Sequence, residues 1–438
     1  MTVVLVLTYV VMAVLLAMTA LYRRFLLRPS PIDPTYRPKV ALLLAVRGSD
    51  PEFEQHIESL FALDYPDYEI VFGVAERRDD AYPVLAAACD RHPGRAQLVV
   101  TGLPWACSEK IHNVLGCLAV VSADTEVLVV IDADIQPAPL FLQRLVTPLR
   151  DPQVGVATGF RWLVATEPSL PRLVATMTNA GTGVPFWFSH GVWGGVMAMR
   201  REVFAELDVA TAWRKSLSED SVTREVMLAG GYRVAPVADT LAVSHQDYTW
   251  STYWEFLVRQ LTITRIYNPS AWWQGLALYL LTGLVLAYGV VGTITWIVGA
   301  TTSTLPLAAL PLAFLYMLQG WLVVDASQRA IARRGETIPF VRLTEMPIYV
   351  LAVAVGLAQL VASGFSRWIV WRGVVYHMHR PDRTVVYRTS HAPTAEAAPR
   401  MAVSPEFAAL LSEWAAGNGA SDDVAMAAPL GTPTMEHR

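Results

Sequence analysis

Hydrophobic residues form two kinds of pattern along the chain. The first is a long unbroken run over residues 2–22, which is closed by Arg23 and Arg24. A helix needs about 20 apolar residues to cross the hydrocarbon core of a membrane. A cleaved signal peptide has its charges before the apolar run, whereas here the charges follow it. The pattern therefore predicts an uncleaved anchor over residues 1–27, with both arginines on the cytoplasmic side.

The second pattern occupies residues 38–270, where short apolar runs alternate with helix-like stretches. Alternation at this spacing is typical of βαβ units and a mainly parallel sheet. Because the strands are apolar on both faces, we expect helices to cover both sides of the sheet. The sequence thus predicts an α/β domain. Its predicted strands are 40–46, 69–74, 97–100, 127–131 and 154–158, and its predicted helices are 51–63, 81–91, 109–121 and 139–150.

A C-terminal membrane region is predicted over residues 274–366. Within it, residues 276–300 and 305–324 are each long enough to span a membrane, whereas residues 347–363 are apolar but fewer. The following stretch 367–388 is basic, which favours the cytoplasmic side. Three crossings from a cytoplasmic domain would end outside, so either one of these segments does not cross or the charge rule fails here.

Overall composition agrees with a membrane protein. Hydrophobic residues make up 53% of the chain and charged residues 16%, against about 25% charged residues in soluble domains. The net charge of −4 gives no indication of a nucleic-acid partner. The three cysteines lack metal or redox spacing. Residues 389–438 are rich in Ala, Pro, Ser and Thr and are predicted to be disordered, with one short helix beginning after Ser404.

Two carboxylates, Asp132 and Asp134, directly follow the apolar strand 127–131. Open α/β sheets bind ligands at the carboxyl ends of their parallel strands. Carboxylates there suit a hard divalent ion that also holds phosphate oxygens. The alternative is an ordinary turn, since aspartate is common after strands.

Glu219 and Asp220 open another predicted helix. They can serve as acidic residues that interact favourably with the helix dipole. They can also serve in catalysis, because an acceptor hydroxyl needs a positioned carboxylate to take its proton. In that interpretation Asp220 is the base and Glu219 orients it.

Two further residues have both a functional and an ordinary interpretation. Lys110 stands at a predicted helix start, where it can bind a diphosphate or simply be solvated. His245 follows a predicted strand and is either a further, weaker metal ligand or a hydrogen-bonded loop histidine.

Taken in order, these segments resemble the GT-A-fold glycosyltransferases of family 2 type and, among them, the ceramide glucosyltransferases and their bacterial lipid-glycosylating relatives. The resemblance extends over residues 38–269 and the order of the membrane segments. It is carried by segments 40–48, 50–51, 59–66, 110–113, 132–134, 194–201, 219–220 and 230–233.

The resemblance implies roles for several residues. Asp132 and Asp134 would hold Mg²⁺ or Mn²⁺ on the donor diphosphate, and the metal would offset the charge on the departing nucleotide. Asp220 would be the base of a single inverting displacement. Lys110 and Asn113 would belong to the donor-binding element.

The chain departs from the family pattern in its first acidic motif and in a helix near the membrane. Where the family has an aspartate that holds the nucleotide base, this chain offers Glu76 or Asp79. In the helix, the family has Gln or Arg, then two residues, then Arg-Trp. Here Arg259 fits the first position, but residues 262–263 are Thr-Ile instead of Arg-Trp. Arg265 is the nearest replacement for the missing charge.

A third departure is Val184, which stands where ceramide enzymes often have histidine. These changes weaken the assignment to ceramide more than the assignment to sugar transfer. The acceptor class therefore includes diacylglycerol and hopanoid lipids beside ceramide.

The sequence therefore predicts a multi-pass protein of the cell inner membrane with a cytoplasmic GT-A domain. It would transfer a hexose from a UDP-glucose-like nucleotide-sugar to a lipid hydroxyl, with an amphipathic interfacial helix at about 250–267. Two alternatives remain open at this point. One is a processive polysaccharide synthase on the same fold, and the other is a catalytically silent membrane protein that binds lipid.

Overall fold

The computed structural model describes residues 1–50, 52–165 and 167–388. Seven strands form one mixed sheet, in the order β3-β2-β1-β4-β6-β5-β7. Their bounds are β1 (Val40–Val46), β2 (Tyr68–Val74), β3 (Ala96–Val100), β4 (Val127–Ile131), β5 (Val154–Val164), β6 (Val196–Arg200) and β7 (Arg233–His245). Strands β1 to β4 are parallel, β6 is antiparallel to both its neighbours, and β5 is parallel to β7.

Helices cover the sheet and continue into an apolar bundle. In chain order they are α1 (Thr2–Leu27), α2 (Phe53–Phe61), α3 (Tyr82–Arg91), α4 (Glu109–Leu118), α5 (Phe141–Val146), α6 (Leu170–Phe188), α7 (Arg201–Glu206), α8 (Val209–Trp213), α9 (Glu219–Ala229), α10 (Trp250–Tyr267), α11 (Pro269–Ile297), α12 (Leu310–Arg333) and α13 (Ile348–Ser363). The predicted α/β architecture with membrane-type helices is confirmed.

Successive side chains of a central strand point to opposite faces of the sheet, and here both sets are apolar, which explains why the sheet is covered on both sides. In β1, Val40, Leu42 and Leu44 pack into one hydrophobic core, whereas Ala41 and Leu43 pack into the other. All five are at most 1% exposed. Burial of both faces is what a strand at the centre of a helix-covered sheet requires.

The largest error in the predicted strands concerns β5, which continues beyond residue 158 to Val164. Gly159 lies where β5 passes β7, and a Cβ at this position would lie 2.3 Å from the carbonyl oxygen of Thr240. The pairing register also shifts there. The glycine therefore permits close strand contact instead of ending the strand.

Three helical segments are long and apolar enough to cross a membrane: Thr2–Leu27, Pro269–Ile297 and Leu305–Arg333. Large apolar side chains on α1 and α11 are exposed, including Val3 and Leu284. Such surfaces are costly in water and favourable in lipid. An ion pair between Arg23 and Asp325 joins α1 to α12.

The segment containing α13 leaves the α/β domain and returns to it. At its start, Arg334 Nη1 donates to the carbonyl oxygen of Asp239 in β7 at 2.8 Å. At its end, Arg265 Nη2 of α10 donates to the carbonyl oxygen of Ser366 at 2.5 Å. Both ends of the segment 334–366, which contains this apolar helix, are thus connected to the part of the chain that carries β7 and α10.

One buried carboxylate connects the bundle to the sheet. The side chain of Asp239 is fully buried, and its Oδ2 accepts the backbone N–H of Ser30 at 2.6 Å. Its Oδ1 accepts Arg333 Nη2 at 2.5 Å. Sheet, N-terminal linker and α12 therefore meet at one residue.

The basic stretch after α13 forms a second sheet that the sequence did not predict. Its antiparallel strands are β8 (Trp368–Trp371), β9 (Val374–Arg380) and β10 (Arg383–Arg388). The backbone N–H of Thr384 donates to the carbonyl oxygen of Lys215 at 3.0 Å, which attaches this sheet to the α/β domain. The tail 389–438 and its predicted helix lie outside the described residues.

Candidate functional site

A lysine with a side chain only 14% exposed lies among the charged groups at the carboxyl edge of the sheet. Lys110 is in the first turn of α4, after the N-cap Ser108. Its Nζ lies 2.6 Å from Asp132 Oδ1 and 2.8 Å from Glu219 Oε1, and it donates to the carbonyl oxygen of Gly194 at 3.0 Å. Burial by itself would lower the pKa of Lys110, but the two carboxylates outweigh burial and raise the pKa. The ammonium group therefore stays charged.

An arginine from β5 joins the two aspartates that follow β4. Arg161 Nη2 lies 3.2 Å from Asp132 Oδ2 and 3.6 Å from Asp134 Oδ2. Burial would raise the pKa of Asp132, but Lys110 and Arg161 outweigh burial and lower the pKa, so this carboxylate is ionised at neutral pH. The guanidinium also lies 5.3 Å from the ring centre of Trp193. The sequence did not single out Arg161 because it lies within an apolar strand pattern.

The neighbouring acids at the start of α9 have different surroundings. Glu219 is 5% exposed and pairs with Lys110, and burial raises the pKa of its carboxyl group. Asp220 is only partly buried and lines the cavity. Its Oδ2 accepts the backbone N–H of Gly194 at 3.0 Å, and its Oδ1 accepts the N–H of Ser221 at 2.7 Å. The more accessible carboxylate is therefore Asp220.

Glu219 and Asp220 approach the backbone at Gly194 so closely that there is no room for a side chain at this position. A Cβ at this position would lie 2.1 Å from Glu219 Oε1 and 3.3 Å from Asp220 Oδ2. Because its carbonyl oxygen also accepts a hydrogen bond from Lys110, the backbone at Gly194 contacts the lysine and both acids. A side chain here would displace these groups.

A side cavity of about 330 Å³ holds the two candidates for the first acidic motif. Asp79 Oδ1 accepts the backbone N–H groups of Gly48 at 2.8 Å and of Ala81 at 2.9 Å. The Glu76 carboxylate accepts Arg78 Nε at 3.0 Å. Both acids line this cavity, which also contains Arg47 and Glu109 of the main site. Both therefore stay predicted donor-binding residues.

Asn113 and His245 have different surroundings. Asn113 is 1% exposed, and its side-chain oxygen accepts the hydroxyl of Thr101 at 2.6 Å. His245 ends β7 as an exposed residue that lines the main cavity. Within residues 1–50, 52–165 and 167–388, no three His, Cys, Asp or Glu side chains form a metal-binding group. The structure thus does not bring His245 together with Asp132 and Asp134 as a third ligand.

The two aspartates by themselves fit a divalent ion that shares its coordination with a substrate. Asp134 Oδ1 is buried and has no hydrogen-bond partner in the described structure. The ionised carboxylate of Asp132 is close to it, because Arg161 Nη2 contacts both aspartates. One or two carboxylates with phosphate oxygens are a usual ligand set for Mg²⁺.

A single cavity of about 2270 Å³ connects these charged groups to the apolar helices. Its charged end includes Lys110, Asp132, Asp134, Arg161, Glu219 and Asp220. Side chains of α1, α11, α12 and α13 line its other end: Leu15, Met18, Leu278, Tyr279, Tyr316, Val353 and Leu360.

Helix α10 forms one wall of the cavity, and its two predicted arginines differ in position. Arg259 lines the cavity and lies 5.7 Å from the ring centre of Phe256. Arg265 bonds to the Ser366 backbone and is not among the residues that line the cavity. Thr262 is 1% exposed, and its hydroxyl donates to the carbonyl oxygen of Val258 in the same helix. Neither Thr262 nor Arg265 therefore supplies a charge to the cavity.

Another arginine that the sequence did not single out lies at the end of the cavity near β1. Arg372, between β8 and β9, lines it beside Arg47. In the sequence, the basic stretch 367–388 indicates only the membrane topology. Its closeness to the site depends on the fold.

Comparison with known proteins gives a match over most of the chain. Residues 4–384 match the model of Glycosyl transferase family 21. A segment of 84 residues, or 19% of this chain, is 29% identical to Ceramide glucosyltransferase 1 of Caenorhabditis elegans. The chain covers 18% of the length of that relative.

Solved structures of glycosyltransferases are similar at lower identity. A mannosyltransferase from Pyrobaculum calidifontis, in complex with GDP-Man and Mn²⁺, is 19% identical, with a TM-score of 0.45 over 82% of this chain and 97% of that chain. Glucosyl-3-phosphoglycerate synthase of Mycobacterium tuberculosis, in complex with Mn²⁺, UDP and glucosyl-3-phosphoglycerate, is 18% identical, with a TM-score of 0.34 over 53% of this chain and 88% of that chain. The family match extends through the α/β domain and the apolar helices, and the chain is therefore a glycosyltransferase that belongs to glycosyl transferase family 21.

Proposed function

We propose that this protein transfers a hexose from a nucleotide-sugar to the hydroxyl group of a membrane lipid. The observation that carries the proposal is the continuous cavity. It contains Asp132, Asp134 and Asp220 at one end and side chains of the apolar helices at the other. A water-soluble donor and a lipid can therefore meet in it without either crossing the protein.

The donor diphosphate would bind at the end of β4. Asp132 and Asp134 are the residues that would hold Mg²⁺ or Mn²⁺, and the ion would offset negative charge on the departing nucleotide. The mannosyltransferase and the glucosyl-3-phosphoglycerate synthase named above were each solved with Mn²⁺. Glu76 and Asp79 line the adjoining side cavity, which is large enough for part of the nucleotide.

Asp220 is the proposed base. It is the partly exposed acid of the pair, and two backbone N–H groups, of Gly194 and Ser221, orient its carboxylate. It would take the proton of the acceptor hydroxyl during a single inverting displacement. Glu219 pairs with Lys110, and its predicted role in orienting Asp220 stays a prediction.

The acceptor end favours a lipid with hydrocarbon chains. The cavity wall there is apolar, with tyrosine rings from α11 and α12, and Val184 adds no charge to it. The relative from Caenorhabditis elegans is named for ceramide. Ceramide, diacylglycerol and hopanoid lipids all offer a hydroxyl beside apolar chains, and these are the proposed acceptors.

The proposed topology has three crossings, by α1, α11 and α12, in the cell inner membrane. The α13 segment begins beside Asp239 and ends beside Arg265, both of the catalytic side, so it would re-enter and not cross. This arrangement keeps the basic stretch 367–388 in the cytoplasm with the catalytic domain (38–270), in agreement with the charge rule. It removes the conflict between charge and the number of segments.

The test is product formation by the purified protein in lipid. Nucleotide-sugars would be combined with ceramide, diacylglycerol and hopanoid acceptors and with Mg²⁺ or Mn²⁺, and mass spectrometry would detect the lipids. Asp220→Asn should abolish product, whereas Asp382→Asn, an exposed aspartate that pairs with Arg380, should not. One sugar per lipid supports the proposal, and a polymer would favour the processive synthase. No glycosylated lipid from any combination would refute it.

A further inference from the structure

The turn between β8 and β9 has an unusual residue at its first position. Trp371 pairs with Val374, so the loop consists of Arg372 and Gly373 alone. Both have positive φ, 45° and 79°. Two-residue hairpin loops of this kind favour Asn-Gly, and a long side chain at positive φ is disfavoured. Such backbone strain occurs often where a side chain has a function.

The second sheet is held against the catalytic domain at the site. Tyr376 of β9 is 1% exposed, and its hydroxyl accepts the backbone N–H of Glu109 at 3.3 Å, at the start of α4. Ile369 and Val374 pack with Leu217, which lies two residues before α9. The sheet thus contacts the beginnings of both helices that supply Lys110 and the acid pair.

These contacts bring Arg372 to the end of β1. Its Nη1 donates to the carbonyl oxygen of Arg47, and its Nη2 lies 3.7 Å from Asp50 Oδ2. The side chain is 48% exposed and lines the cavity, as does Trp371. Because a guanidinium has five N–H donors, these contacts leave donors for a ligand.

The turn lies beside the part of α10 where the family motif is broken. Arg259 Nη1 of α10 is 3.5 Å from the carbonyl oxygen of Val370, directly before the turn. On α10 itself, Thr262 bonds within its own helix. The tryptophan and the arginine of the hairpin, Trp371 and Arg372, thus line the cavity next to α10.

We propose that the hairpin residues Trp371 and Arg372 belong to the donor site, where Arg372 binds the diphosphate of the nucleotide-sugar and Trp371 closes the cavity beside it. Planar guanidinium groups match the geometry of phosphate oxygens. A dianionic diphosphate entering a site with several carboxylates also needs added positive charge. This proposal rests on the proposed function.

The test compares two arginines of the same sheet. Arg372→Asn removes the guanidinium and leaves a residue that suits the turn, so the melting temperature should stay the same or rise. The KM for the nucleotide-sugar should rise on the order of tenfold to a hundredfold, as for loss of a hydrogen bond to a charged group, with a smaller change in kcat. Arg380→Asn, which removes the same charge outside the cavity, should leave both constants unchanged.

Binding of UDP and of GDP with Mn²⁺, measured by calorimetry without acceptor, separates this proposal from the proposed function. Weaker binding by Arg372→Asn alone supports the donor role. Equal binding and equal donor KM in wild type and Arg372→Asn would overturn it, while lipid glycosylation by the wild type would still support the proposed function. If the wild type transfers no sugar and binds neither nucleotide, both proposals fail.

Discussion

Replacing Lys110 by methionine tests whether this lysine holds the acids of the site together. In the wild type its Nζ lies 2.6 Å from Asp132 Oδ1 and 2.8 Å from Glu219 Oε1. Methionine has similar length and no charge. Asp132 would keep Arg161 as a partner, whereas Glu219, which is 5% exposed, would lose its ion partner. The loss in the free energy of unfolding should therefore come mainly from the Glu219 carboxylate, which has lost its partner.

Breaking a fully buried ion pair by removing one partner typically costs about 3–5 kcal/mol. We expect about 2 kcal/mol here, because Glu219 can bind a proton and each unit of pKa shift corresponds to about 1.4 kcal/mol. For a domain of this size, that lowers the melting temperature by roughly 4–8 °C.

The stability that Lys110→Met loses should be greater at high pH than at low pH. Burial already raises the pKa of Glu219, and Lys110 opposes that effect. Without the lysine the folded-state pKa rises further above the unfolded value, so the folded protein binds the proton more tightly. Stability is then retained at low pH and lost as the pH rises through the folded-state pKa. The deficit of Lys110→Met should therefore shrink from pH 8 to pH 5.

The assay is thermal unfolding in detergent with a chelator, so that no divalent ion replaces the ammonium group. The matched control is the double variant Lys110→Met, Glu219→Gln, in which no acid at position 219 can titrate. Its deficit should be smaller at pH 8 and flat with pH. If Lys110→Met melts like the wild type, or if both variants show the same pH dependence, the assigned role of Lys110 is wrong.

Three further changes test other parts of the structure. Gly194→Ala should reduce kcat by at least about tenfold, because its Cβ would lie 2.1 Å from Glu219 Oε1; activity close to wild type would contradict the crowding. Asp239→Asn should destabilise the protein by about 3 kcal/mol, since it removes the charge that meets the arginine at the end of α12; an unchanged melting temperature would show that this contact is dispensable. Val353→Trp should block the apolar end of the cavity, so that lipid glycosylation falls while binding of UDP with Mn²⁺ stays the same; equal loss of both would mean that the two ends are not separate.

The centre of the sheet was predictable because strands β1 and β4 are apolar at every position. Residues 127–131 are all buried, as in a strand that is covered on both faces. The sequence predicts a strand before His245 but not the bounds of β7, because this strand includes Pro236 and the buried acid Asp239. The partners that satisfy this carboxylate, Ser30 and Arg333, are distant in sequence, so no local pattern reveals them.

The site was predictable where its residues stand in motifs at element ends. Asp132 follows a strand, and Lys110 and Glu219 begin helices, which is where sequence patterns indicate chemistry. Arg161 and Arg372 were missed for a physical reason. The sequence around Arg161 indicates only a strand, and the sequence around Arg372 indicates only a basic stretch. The position of each arginine depends on how strands that are distant in sequence pair.

Under the proposed function, the connection at Asp239 has a consequence for which lipids can be acceptors. A fully buried carboxylate joins β7 to α12 and to the linker after α1. With α1 and α12 crossing the membrane as proposed, the sheet cannot change its height above the bilayer without breaking that connection. The distance from the hydrocarbon core to Asp220 is then constant. We expect the enzyme to select acceptors by depth. It should glycosylate lipids whose hydroxyl lies at a matching level in the headgroup layer, and it should not glycosylate lipids in which the hydroxyl lies deeper.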